Sequence, residues 1–553
     1  MSVQSDRAAE DFLHETQFHL GFLPTEQSNP LTRDLEERFH ASPVEGVRCL
    51  QRVDREVLKM CRRVFAAHEY RRLSETMLAT VRNGHRVVFS GCGATGRLSI
   101  LLEGMWRDAV ECGKIAREYQ DAVSSIMTGG DFAMIRSVEF FEDYAAFGAR
   151  QVQESGMVEG DMLVAITEGG ETSSVLGSVQ EALRRKCAVF LLFNNPAELL
   201  AQRIVRSREA IENPCVTVLD LSCGPMALAG STRMQATTSE MLVAGAALEE
   251  CACALSEHEA RDWPTEFAKL LDALEAPACV QALADYLALE ASIYRRGGTV
   301  TYFADRFLLD VFTDTAERTP TFMLPPFRAS GDTASPRSWA FVKNPRFTTA
   351  ETWRHALNRP LRCLNWSSAE LRAMGAPEEL AACPPAISVD DMLKIRIGNE
   401  EVAERCESSE DTSVLLTLGT PSEELASAYE TLAKPFRKYV RVDLRQWGLP
   451  TPIATPLELL DHLAVKLALN TISTGTMVLM GRVKGNWMSW VAATNKKLID
   501  RSARLVSELG GIDYAEAVRR IFAAREEIAA MPPDQTPPSP VQWTLKQLSI
   551  DNE

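Results

Sequence analysis

Val87-Val-Phe-Ser-Gly-Cys-Gly-Ala-Thr-Gly-Arg97 decides how the chain is read. A short apolar strand breaks into a glycine- and hydroxyl-rich turn and then enters a helix. Free N–H groups and the positive end of the helix dipole meet at such a junction, which makes it a seat for an anion, above all a phosphate. Ser90 and Thr95 supply hydroxyls able to donate to phosphate oxygens, while Gly91, Gly93, Ala94 and Gly96 let the backbone approach closely. Gly91-x-Gly93-x-x-Gly96 also matches the dinucleotide fingerprint. That motif expects an acidic residue closing a strand about 20 residues on, and Ala109-Val-Glu-Cys-Gly-Lys-Ile-Ala-Arg-Glu118 is no clear strand. The plainest alternative is a tight turn that needs glycine only for its own backbone angles.

Two segments further on share this texture. Ile166-Thr-Glu-Gly-Gly-Glu-Thr-Ser-Ser174 again follows an apolar strand and opens a helix, so Thr167, Glu168, Gly169 and Thr172 are candidates for the same ligand. Its bland reading is a cluster of N-cap residues. Gly224-Pro-Met-Ala-Leu-Ala-Gly-Ser-Thr-Arg-Met234 precedes a long helix, and Ser231 and Arg233 suit a wall of that pocket or a capped helix start. Two helix N-termini at the C-terminal edge of a parallel sheet would face one crevice.

Around these segments the chain alternates. Val44 to Ala67 and Tyr70 to Arg82 have helical spacing. Almost continuous apolar runs at Arg86–Phe89, Met162–Ile166, Ala188–Phe193 and Val216–Leu219 read as strands buried on both faces. A helix from near Arg233 leads through a helical stretch to about Arg296. A second set of strands follows at Thr299–Phe303, Leu361–Leu364, Thr412–Leu418 and Tyr439–Asp443, then helix from Leu457 to about Ala530 and a proline-rich, extended tail. Two α/β units in succession suggest either a duplication or two unrelated domains, and the expected fold class is α/β, two doubly wound parallel sheets in tandem. The expected divisions are an N-terminal extension (1–45), a first unit carrying the phosphate site (46–260), a second unit (261–455), closing helices (456–530) and a tail (531–553).

The totals set limits. A chain of 553 residues exceeds one ordinary core. The net charge of −16 argues against nucleic acid as a partner, and it leaves an anionic ligand to local dipoles. No apolar run reaches the roughly 20 residues of a membrane span, and the N-terminus lacks a signal peptide's apolar stretch. The thirteen cysteines are scattered without a Cys-x-x-Cys pair, as in a reducing cytoplasm. His14-Glu15-x-x-x-His19 has one residue too many for a zincin helix, so no metal and no cofactor is expected.

Together the three segments resemble the sugar isomerase (SIS) fold, which binds phosphosugars. More closely they resemble the family of N-acetylmuramic acid 6-phosphate etherase and the glucokinase regulatory protein. Five pieces carry the likeness: Thr25-Glu-Gln-Ser-Asn-Pro30; Gly91–Arg97; Gly129-Gly-Asp131 with Glu139-Phe-Phe-Glu-Asp143; Gly230–Met234; and Lys466-Leu-Ala-Leu-Asn-Thr-Ile-Ser-Thr-Gly475 with Gly485-Asn486 and Ala493-Thr-Asn-Lys-Lys-Leu498. The likeness covers nearly the whole chain and is weakest from Phe341 to Pro456. About 230 residues separate the fourth and fifth pieces, an arrangement similar to two SIS domains in one chain followed by a helical cap.

The resemblance also implies chemistry. The etherase works with two glutamates. Glu142 matches one, whereas the other aligns with Met105; Glu103 lies about 200° round the helix and should point elsewhere. Thr301-Tyr-Phe-Ala-Asp-Arg-Phe-Leu308 has no glycine, so the second unit's phosphate cradle is expected to be lost. Thr315-Ala-Glu317-Arg-Thr-Pro320 resembles the stretch bearing the etherase's first glutamate, and the simpler reading of Glu317 is an exposed helix-end carboxylate. Glu240 stands where the family has a lysine, and Lys466 keeps the equivalent place in the second copy, expected to close a single asymmetric pocket. The favoured reading is a cytoplasmic sensor of a sugar phosphate such as fructose 6-phosphate, with a sugar kinase as the implied partner. The cap is too short for glucokinase itself, leaving another kinase or none. The alternative is a lyase or isomerase acting beside a sugar carbonyl, with Glu142 as base.

Overall fold

The computed structural model describes residues 3–551 apart from 139, 260, 402, 452–453 and 532–536. Two amphipathic helices, α1 (Pro43–Phe65) and α2 (His68–Arg82), lead into the first sheet. Its strands are β1 (Val87–Gly91), β2 (Val123–Met127), β3 (Met162–Ile166), β4 (Ala188–Phe193) and β5 (Val216–Asp220). They lie in the order β2-β1-β3-β4-β5, all parallel, with Val87 opposite both Val123 and Met162. Helices α3 (Ala94–Glu111) and α4 (Ser173–Arg184) follow β1 and β3, so both helix N-termini rise from the C-terminal edge of neighbouring strands.

Helices α5 (Gln235–Leu255) and α6 (Pro277–Arg295) carry the chain to a second sheet. Here β6 (Val300–Phe303) is followed by α7 (Leu308–Phe322), then β7 (Ala340–Lys343), β8 (Thr412–Thr417) and β9 (Lys438–Asp443). The order β7-β6-β8-β9, again parallel, repeats that of β2-β1-β3-β4. The chain thus holds two doubly wound α/β units in tandem. Helix α8 (Leu459–Leu479), a short hairpin β10 (Val483–Lys484) and β11 (Trp487–Met488), and helices α9 (Lys496–Gly510), α10 (Tyr514–Ala529) and α11 (Pro540–Asp551) complete it.

Four expectations change. Val123–Met127 is a strand although two serines interrupt its apolar pattern. Leu361–Leu364 is not a strand of the second sheet, whose edge is instead Ala340–Lys343. It runs across to the first unit, where Cys363 bridges Gly130 and the Arg362 N–H donates to Asp131 Oδ2 (2.6 Å). The closing region is broken by the β10–β11 hairpin. Within the tail, residues 532–536 and 552–553 lie outside the described residues, but Pro540–Asp551 is a helix, packed on α9 and α10.

One apolar core runs through both units. Helices α5 and α8 are buried on nearly every side, as central helices must be. They approach so closely that a Cβ at Gly245 would lie 2.6 Å from Leu459 Cδ1. A buried ion network also ties the halves. Arg359 donates to Glu103 Oε2 (3.0 Å) and to both oxygens of Asp131 (2.6 and 3.0 Å). Glu103 therefore faces away from the first loop, as its place on the helix predicts, and Met105 is core. Finally, the Thr25–Pro30 turn clamps the C-terminal helices. Arg501 and Arg504 of α9 hold the Glu26 carboxylate, which burial alone would push up, down at about 2.

Candidate functional site

A cavity of about 160 Å³ opens at the C-terminal edge of the first sheet. Its floor is the β1–α3 junction. Gly93, the residue before α3, has φ 57 and ψ −125, a conformation that belongs to glycine, and nothing lies within 4 Å of where its Cβ would stand. Gly93 and Ala94 line the cavity, and the first N–H groups of α3 have no i−4 carbonyl to meet. The other glycines serve packing: a Cβ on Gly91 would lie 2.5 Å from the Thr95 carbonyl carbon, and one on Gly96 would lie 2.7 Å from Met127 Cγ.

The hydroxyls mostly brace these loops. Thr95 Oγ1 accepts from the Cys92 N–H (3.0 Å) and donates to the Cys92 carbonyl (2.7 Å). Thr167 pairs with Thr172 (2.9 Å), and Thr128 with Ser174 (2.9 Å). Thr172 and Thr128 reach the cavity wall; Thr167 and Gly169 stand behind it, and Ser90 is buried within β1. On the third segment, Ser231 and Arg233 line the cavity, and Ser231 Oγ and Arg233 Nε are buried without a hydrogen-bond partner among the described residues. Arg233 is otherwise gripped by Asp314 Oδ1 of the second unit (2.9 Å) and by Ser473 Oγ (3.1 Å) and Thr474 Oγ1 (2.9 Å) of α8. Two orphaned polar atoms on one wall are what a site made for a polar ligand leaves behind.

Three carboxyl groups share this space. Glu142 lies two residues after Phe140, a non-glycine residue at φ 69, and Asn495 Nδ2 donates to the Glu142 Oε1 (2.6 Å). The start of the Glu139–Asp143 stretch, residue 139, lies outside the described residues. Glu317 is not the exposed helix-end group it looked like in sequence. It is 8% exposed, lines the cavity from α7 and accepts from Arg97, a fully buried guanidinium whose Nε and Nη2 bind the Met134 and Ala133 carbonyls (3.0 and 2.8 Å). The helix carrying Glu317 meets α3 across the boundary between units, a packing that sequence spacing does not reveal. Glu168, after β3, is pushed up to about 7 by burial, against the pull of Lys497.

Lys466 does not close this cavity. Its Nζ donates to the Arg233 and Met234 carbonyls (3.1 and 3.2 Å), Thr238 Oγ1 (2.7 Å) and Asn470 Oδ1 (2.9 Å), and it lines a separate void of about 30 Å³ behind the Arg233–Glu317 wall. Burial brings it down to about 7. The lysine on the main cavity is Lys497, from α9. Burial opposes its charge, but Glu171, Glu26 and Glu142 raise its affinity for the proton. Lys497 and Asn495 belong to Ala493–Leu498, a stretch whose resemblance pointed to the closing helices but not to individual side chains.

The parallel α/β unit with a crevice at its C-terminal edge belongs to the SIS class. Residues 71–183 match the model of the glucokinase regulatory protein N-terminal SIS domain. The N-acetylmuramic acid 6-phosphate etherase of Serratia proteamaculans (strain 568) is 30% identical over 225 residues, 41% of this chain and 68% of that protein. The etherase of Yersinia pestis (strain Pestoides F) is 31% identical over 224 residues, 40% and 68% of the two chains. Tagatose-6-phosphate ketose/aldose isomerase from Escherichia coli gives a TM-score of 0.44 at 10% identity, over 80% of this chain and 94% of that one. The chain belongs to the N-acetylmuramic acid 6-phosphate etherase family. Among the described residues no helix is long and apolar enough to cross a membrane.

Proposed function

We propose that the chain binds a hexose 6-phosphate in the Gly93 crevice and eliminates an ether substituent from it. The observation that carries this reading is the meeting of Glu142, from the first unit, and Glu317, from the second, at one cavity. A phosphate set on the α3 N-terminus would be held by backbone N–H groups and the helix dipole, with Lys497 countering its charge. The sugar would then lie along the wall of Ser231 and Arg233, between the two carboxylates.

A hydrogen beside a sugar carbonyl is acidic. Glu142 as base would take it, the C–H electron pair would form a carbon–carbon double bond, and the ether C–O bond at the next carbon would break. The leaving oxygen needs a proton, and Glu168, with its affinity near neutrality, has one to give. Water adding to the double bond restores a saturated sugar. Glu317, fixed by Arg97, would orient the sugar or share the proton transfers. Each such group contributes roughly 10²–10⁴-fold.

The test uses N-acetylmuramic acid 6-phosphate with release of D-lactate as readout. Turnover lost in E142Q and E317Q, with binding retained, supports the proposal; lactate release unchanged in both variants overturns it. A sensor that acts on a sugar kinase is the second reading, favoured by the match of residues 71–183 to a regulatory protein's domain. It requires binding without turnover in the wild type.

A further inference from the structure

The second unit has lost its glycine turn, yet it keeps a crevice. A cavity of about 320 Å³, twice the volume of the first, lies where β6, β8 and β9 end. It is bounded by Arg306 after β6, Gly419 after β8, Arg445 after β9, and Glu458 and Asp461 at the start of α8. The strand order reverses between β6 and β8, and in open parallel sheets ligands settle in the crevice outside the strand ends at that switch point. We propose that this is a second anion site, built from arginine side chains instead of backbone, for the phosphate group of a small molecule. The inference stands apart from the reaction proposed for the first unit.

The donor geometry carries it. Arg445 Nη2 donates to Asp461 Oδ1 (2.5 Å), and Arg306 Nη2 donates to Glu458 and, at 3.5 Å, to Asp461 Oδ2. Among the described residues these bonds to carboxylates use Nη2 alone, so Nε and Nη1 of both guanidinia remain as donors. Planar guanidinium forks suit the oxygens of a phosphate. Glu458 is shared with Lys114 of the first unit (2.8 Å), which offsets the negative charge facing Arg306. Asp443 is turned to the backbone, accepting from the Gly419 and Arg445 N–H groups (2.7 and 3.0 Å). The Arg445 side chain is 16% exposed and that of Arg306 49%, so a ligand would meet one partly buried fork and one that can swing.

Calorimetric titration of the full chain with inorganic phosphate, and separately with glucose 6-phosphate, tests this. Two sites per chain are expected for at least one probe. R445Q should weaken one site tenfold or more and leave the other, while Gly93→Val should do the reverse. If R445Q does not fold, R306Q removes the other fork from a half-exposed position, and R445K, which keeps charge but not the fork, should weaken the same site. Tighter binding of glucose 6-phosphate marks a phosphate monoester as the ligand, and tighter binding of inorganic phosphate marks the free ion. Binding unchanged by R445Q, R445K and R306Q, or a preference of that site for malonate over both phosphates, overturns the proposal.

Discussion

Replacing Gly93 by alanine probes the anion seat most sharply. Its φ of 57 and ψ of −125 are hard for any residue with a Cβ, so strain of about 1–3 kcal/mol is expected. No neighbour lies within 4 Å of the added methyl group, so no steric clash with protein adds to this. The methyl group would instead stand in the space assigned to the phosphate. A ligand at 100 times its Kd stabilises the folded state by about 2.7 kcal/mol. Urea denaturation with and without N-acetylmuramic acid 6-phosphate should show that increment in the wild type and little of it in G93A. Gly113, at φ 72 just past the end of α3 and also with open space around its Cβ, is the control. G113A should lose about 1 kcal/mol of stability and keep the full ligand increment. Equal ligand increments in G93A and the wild type would refute the seat.

Other outcomes follow from buried charge. Glu168 binds its proton more tightly when folded, at about 7 against 4.5, so the folded state holds more protons between those values and stability falls as pH rises through them. E168Q should remove that fall, gaining on the order of 3 kcal/mol relative to wild type at pH 8 compared with pH 4, read from denaturation curves at both. Lys466 behaves in the opposite sense: its folded affinity is depressed from 10.5 to about 7, so its contribution weakens as pH drops from 10 towards 7, and K466M should flatten that limb of the stability profile. R359M leaves Asp131 and Glu103 short of a buried partner and should cost about 3–5 kcal/mol in chemical denaturation.

Much of this was legible in sequence where local chemistry decides structure. The apolar runs at Met162–Ile166 and Ala188–Phe193 are strands to the residue, because burial on both faces leaves no alternation to misread. Gly93, Ala94, Glu142, Glu168, Thr172, Ser231 and Arg233 converge on one cavity from four separated segments. What escaped depends on distant packing. Thr95 looked like a ligand donor because sequence cannot show that its hydroxyl is spent on Cys92. Leu361–Leu364 is apolar because it crosses to the first unit, and Ala340–Lys343 is too short to announce itself. Glu317 looked exposed because only the docking of α7 beside α3 brings Arg97 to it. Lys466 and Lys497 both come from closing helices, and only their packing decides which one reaches the cavity.

A crystal structure of the chain soaked with N-acetylmuramic acid 6-phosphate bears most directly on the central claim. The phosphate is expected within hydrogen-bond distance of the Ala94 N–H, with the sugar ring between the carboxylates of Glu142 and Glu317. A phosphate seated away from the β1–α3 junction, or a sugar touching neither glutamate, would contradict it.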